Sequence, residues 1–117
     1  MKVRSAKDKG RRLQNLVRDR ISQSFPELEL DTDIRSAIMG ETGEDIKLSK
    51  KARLLFPYSV ECKSLKSMAV FRYLEQAQSN CPTTAMPLVV IKENRKKPLA
   101  VIDFEYFMGM IDDTKDT

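Results

Sequence analysis

Apolar residues fall at helical spacing in two stretches of the chain and in alternation or short runs between and after them. Leu13, Leu16, Val17 and Ile21 recur every three or four residues, the period of a helix with one buried stripe. The helix predicted from them spans 9–24 and ends before Pro26. At about 100° per residue, Gln14 falls on the edge of that stripe, with Arg11 and Arg18 just beyond it. That flank is free to meet phosphate while the stripe holds the helix to a sheet. In 27–34, Leu28, Leu30 and Thr32 alternate with acids, which predicts a first strand. Residues 35–44 contain Gly40 and Gly43 and read as a flexible loop. A short strand is expected over 45–48, then a turn or short helix over 49–56, closed by Pro57.

The run 58–63 reads as the central strand, and 67–80 as a second long helix whose apolar face is Val70, Phe71, Leu74 and Ala77. Arg72 and Gln76 lie opposite, on its solvent side. Pro87 opens a buried strand over 87–91, where its missing N–H is tolerated. A basic hairpin turn at 93–97 leads to a partner strand at 98–104. A closing helical turn is expected at 105–111, and loose ends at 1–8 and 112–117. The order is helix, three strands, helix, two strands. With no repeat or linker in 117 residues, one α/β domain is predicted.

Composition removes whole classes of chemistry. The chain has no histidine, which excludes Ser-His-Asp triads, Cys-His dyads, HNH-type nucleases, Cys2His2 fingers and HExxH proteases. Cys62 and Cys81 lack CxxC spacing and read as reduced core thiols. The six methionines are scattered and read as core filler. No apolar run approaches bilayer length, and Met1-Lys2-Val3-Arg4 lacks the apolar centre of a signal peptide. A cytoplasmic location, with no membrane partner, is the expectation.

Charge is uneven. The net charge is +4, yet the first 20 residues carry eight Lys/Arg against Asp8 and Asp19. A basic arm and first helix on a mildly acidic body suit a polyanion on one side. An ordinary solvated arm accounts for such a terminus equally well.

One constellation carries chemistry. Asp45 is followed, after fifteen residues, by Glu61-Cys62-Lys63. In a strand Glu61 and Lys63 point to one face, Val60 and Cys62 to the other. A charged pair on a core strand is costly unless a metal or polar substrate meets it. Two carboxylates able to share a divalent cation, with an ammonium beside them, suit phosphodiester hydrolysis. Taken singly, Asp45 reads as a turn residue after Gly43, and Glu61 with Lys63 as a surface ion pair; together they favour the metal site.

Asp45 with Glu61-Cys62-Lys63 resembles the signature of the PD-(D/E)XK nuclease superfamily, with Glu44 where that name has proline. Upstream, Lys9-Gly10-Arg11-Arg12-Leu13-Gln14 resembles the opening of archaeal-type and phage Holliday junction resolvases, and Arg35-Ser36-Ala37 with Gly40 and Gly43 resembles the loop before their catalytic Asp. The similarity covers about residues 7–105. It implies a restriction-endonuclease-like core, a central mixed β-sheet flanked by helices. It also implies a homodimer acting on DNA, branched rather than linear, in the cytoplasm of the host cell if the source is viral. Asp45, Glu61, Lys63 and Gln14 would be catalytic; Arg11, Arg18, Arg35 and Ser36 would bind substrate. Mg²⁺ or Mn²⁺ would be held by hard oxygens: Asp45, Glu61 and the Cys62 backbone carbonyl. Gln14 replaces the family's Glu, so one negative charge is missing. Loop decoration is the alternative for Arg35 and Ser36. The alternative functions are a catalytically silent nucleic-acid-binding module on the same fold, a sequence-tolerant DNA-degrading nuclease, or a small interaction protein.

Overall fold

The computed structural model describes residues 3–64 and 69–115. Along them run α1 (Val3–Ser24), β1 (Ile34–Ser36), β2 (Ile46–Leu48), α2 (Lys50–Leu55), β3 (Tyr58–Ser64), α3 (Val70–Asn80), β4 (Met86–Lys92), β5 (Leu99–Val101) and α4 (Phe104–Lys115). Among the described residues the strands form a mixed three-stranded sheet, ordered β3-β4-β5, and a separate antiparallel pair, β1-β2. β3 and β4 are parallel, with Glu61 opposite Val89 and Cys62 opposite Val90; β5 returns antiparallel along β4. The parallel pair needs a crossover, and α3 supplies it.

Alternation along the strands separates two cores. Val60, Cys62 and Val90 face α1, where Leu13, Val17 and Ile21 meet Ile34 and Ile46 of the small pair. Val89 faces the other way, against Tyr73 and Ala77 of α3. The sheet is therefore covered on both sides; of the stripe expected on α1, Leu13, Val17 and Ile21 are buried while Leu16 is 46% exposed.

Several expectations change. The described part of the basic arm is helical, since α1 starts at Val3; Met1 and Lys2 lie outside the described residues. The strand expected at 27–34 is mostly turn. Asp33 accepts the Glu29 N–H on Oδ2 at 2.9 Å, and its own N–H donates to the Glu29 carbonyl at 2.8 Å. Asp31 has φ 69°. Local bonding by an Asp side chain offers this backbone an alternative to a ladder. Arg35 and Ser36, expected in a loop, belong to β1, while Gly40 (φ 84°) and Gly43 (φ 92°) make the bends between β1 and β2.

α2 realises the short-helix option for 49–56, with Ser49 as its cap: the Ser49 hydroxyl accepts the Ala52 N–H. β3 does not stand in the middle of its sheet; β4 does. On α3 the buried pair is Tyr73 and Ala77, while Phe71 is 84% exposed. The expected helix start at Ser67 lies outside the described residues. β5 is shorter than 98–104 because Asp103 begins a helix: its Oδ1 accepts the Tyr106 N–H at 3.0 Å. The resulting α4 runs through 112–115, expected to be loose; residues 116 and 117 are not described. No described helix is long and apolar enough to cross a membrane.

Candidate active site at the edge of β3

Asp45 is placed by bonds on both sides of it. Just before it, Glu44 pairs with Arg53 at 2.6 Å, both side chains largely buried. Arg53 also donates to the Tyr58 carbonyl at 2.7 Å. This clamp ties the end of the β1-β2 loop to the start of β3. The Asp45 N–H then donates to the Val60 carbonyl at 2.9 Å, and the Cys62 N–H donates to Asp45 Oδ2 at 2.8 Å. The carboxylate thus occupies a ladder position that a further strand would fill. Because N–H and C=O of one strand residue point the same way, the Cys62 carbonyl faces this edge too.

Glu61 and Lys63 lie on the opposite face from Cys62, toward α3. Glu61 is 3% exposed. Its Oε1 is 3.5 Å from Lys63 Nζ; its Oε2 is buried and has no hydrogen-bond partner among the described residues. Lys63 Nζ also stands 5.4 Å from the centre of the Tyr73 ring, a cation–π distance. Burial pushes the Glu61 carboxyl above its ordinary pKa and the charge of Asp45 adds to the rise, while Lys63 and Asn80 oppose it. Burial likewise raises Asp45, against the Cys62 N–H and then Lys63 and Lys47. Burial also raises the Cys62 thiol, which is a neutral core group. Two desolvated carboxylates that repel each other, one with a buried oxygen that has no hydrogen-bond partner among the described residues, would suit a divalent cation. Among the described residues no group of three or more His, Cys, Asp or Glu gathers. Two carboxylates and a backbone carbonyl would make a donor set suited to a hard cation that keeps several waters.

On the α1 side, Asp45 also lines an open groove of about 560 Å³ with Lys7, Arg11, Gln14 and Ser36. The fold therefore brings Gln14, Arg11 and Ser36 to one side of Asp45, and Glu61 and Lys63 to the face toward α3; the last two do not line the groove. Ser36 donates to Asn15 Oδ1 at 2.8 Å, which fixes β1 to α1. Arg35 is committed elsewhere: its guanidinium makes two 2.9 Å bonds to the Glu41 carboxylate. That bidentate contact, joined by the Ile38 N–H, holds the Glu41 carboxyl at about 2. Arg18 pairs with Asp19 at 2.8 Å and is not among the groove residues. Comparison with family models, curated proteins and solved structures found no match.

Glu41, Asn15 and Tyr73 support this site and were not picked out as functional from the sequence. Their partners are 6, 21 and 10 positions away along the chain. Glu41 and Asn15 sit inside segments already suspected, but a lone acid in a glycine-containing loop and a lone amide on a helix give no sign of their partners.

Proposed function

We propose that the chain is a divalent-metal-dependent DNA endonuclease of the PD-(D/E)XK kind, with a restriction-endonuclease-like core, and that branched DNA of the Holliday junction type is its substrate. The observation that carries this is the buried Oε2 of Glu61, without a hydrogen-bond partner among the described residues, on the strand whose edge holds Asp45 through the Cys62 N–H. Uncompensated burial of a carboxylate oxygen is costly, and a cation shared with Asp45 offsets it. Asp45, Glu61 and the Cys62 carbonyl would hold Mg²⁺ or Mn²⁺, which supplies phosphate polarisation and a bound water of lowered pKa.

The chain's own groups do the rest. Lys63 offers its ammonium to charge developing on phosphorus, and Tyr73 steadies it. Gln14 hydrogen-bonds water beside Asp45 through its amide, which both donates and accepts. Arg11 supplies phosphate contact along the groove. Paired cuts in two strands call for two sites related by a two-fold axis, so the acting species is a homodimer.

The test is cleavage of a labelled four-way junction beside a matched linear duplex, with Mg²⁺ and with EDTA. Paired cuts at the junction, present in Mg²⁺ and absent in EDTA, are expected. A folded, pure protein that cuts neither substrate overturns the nuclease proposal. Gln14 favours one second reading, since the resembled family carries a charged residue there: a silent DNA-binding module. In that case the chain binds the junction uncut and Gln14→Glu creates cleavage.

A further inference from the structure

Ile38 and Met39 are each 70% exposed, at the tip of the loop that closes the groove beside Asp45. An apolar pair at a loop tip adds nothing to either core. This loop is braced. The Glu41 carboxylate takes two bonds from Arg35 and one from the Ile38 N–H at 3.0 Å. The Glu41 N–H closes a turn onto the Ile38 carbonyl at 3.0 Å, and Gly40 makes the bend with φ 84°. Just behind the tip, the Ala37 N–H donates to the Asp45 carbonyl at 2.8 Å. The apolar tip is therefore held in fixed relation to the residue that anchors the candidate site. Lys7 and Arg11 line the same groove.

We infer that Ile38 and Met39 form an apolar wedge that enters the base stack at a DNA branch point, while Lys7 and Arg11 grip the adjoining phosphates. This rests on the DNA-nuclease proposal and extends it to how a branch is told from plain duplex. Apolar side chains inserted between bases cost the stacking energy of the step they open. That cost is least where a branch already interrupts the stack. A braced wedge loses little conformational freedom on insertion, so it selects the branch without reading sequence. Glu41 in the same groove is already paired with Arg35, so Lys7 and Arg11 face Asp45 alone there; that positive excess favours DNA as the occupant.

The test places 2-aminopurine next to the branch of a four-way junction and measures its fluorescence and the binding affinity in EDTA, so that cleavage plays no part. The parent is expected to raise the fluorescence. Ile38→Ser/Met39→Ser is expected to abolish the rise and weaken junction binding roughly tenfold, the scale of losing one buried apolar side chain, with linear-duplex affinity unchanged. Ile38→Leu/Met39→Leu keeps apolar volume and should behave as the parent. Both positions are exposed, so equal melting temperatures are expected for all three proteins. A serine variant with parental fluorescence and selectivity overturns the wedge and leaves the nuclease proposal standing. Serine substitutions that split a dimer make the tip a self-association surface and overturn the wedge. A parent that binds neither DNA overturns both proposals.

Discussion

Glu61 is held in a state that the fold disfavours. Its carboxyl is raised above the ordinary value of 4.5, first by burial and then by Asp45. The folded protein therefore binds that proton more tightly than the unfolded chain. Its contribution to stability is full below about 4.5 and is lost as pH rises through the higher folded value. At neutral pH the charged side chain is a net cost. Glu61→Gln, which keeps shape and removes charge, is expected to raise the melting temperature by a few degrees at pH 7–8 in EDTA, with the gain vanishing below pH about 4.5. The same variant should lose cleavage. Adding Mg²⁺ should stabilise the parent through mass action and leave the variant unmoved. Differential scanning fluorimetry across pH and metal reads all of these. Lys63→Ala separates binding from turnover: it should still bind metal and DNA but cut about a hundredfold more slowly in single-turnover assays.

At the scale of elements, the site depends on how the β1-β2 hairpin is fastened to β3. Glu44 and Arg53 do this with a 2.6 Å ion pair whose side chains are 11% and 14% exposed. Removing one partner of a largely buried pair leaves the other uncompensated. Arg53→Ala also releases the Tyr58 carbonyl. It is expected to cost about 3 kcal/mol by urea denaturation and to lower cleavage by displacing Asp45, though Arg53 is not a group expected to touch DNA. Ser49 has a similar double role, capping α2 and donating to Asp33 Oδ1 at 2.7 Å. Ser49→Ala should cost about 1 kcal/mol, with Asp45 undisturbed and the cleavage rate retained at temperatures where the protein is folded.

For the whole molecule, the positive excess of the N-terminal residues becomes a surface only because α1 carries it past the β3 edge. Arg11 lines the groove, whereas Arg18 already pairs with Asp19. Arg11→Ala is therefore expected to lower the log–log salt slope of duplex binding by about 0.9 for each phosphate that the side chain neutralises, and Arg18→Ala to change it far less. Affinity titrations across salt concentration distinguish the two. Arg35→Ala is expected to act differently from both, by loosening the loop at 38–41 rather than by baring a phosphate.

Patterns of period 3.6 and period 2 are local, so the chain itself announced α1, the β3 and β4 runs, the basic turn after β4 and the opposite facing of Glu61 and Cys62. The same local signals proposed Asp45, Glu61 and Lys63 as a group. Where two local outcomes lay close in energy, partners distant in the chain chose between them. On α3 the expected face Val70, Phe71, Leu74 and Ala77 competes with one turned toward Tyr73; packing against Val89 buried Tyr73 with Ala77, kept Leu74 against that core and left Phe71 in solvent. Arg35 reads equally as a hand for phosphate or as a brace, until a bend at Gly40 brings Glu41 back to it. The acids at 27–33 alternate like a strand, yet Asp33 bonds its own neighbourhood before any ladder forms. The bonds from Asp45 to Val60 and Cys62 join segments separated by a helix. Periodicity records which face a residue turns toward the core; it carries no information on which other segment will be waiting there, because that is set by chain closure and by the packing of faces against one another.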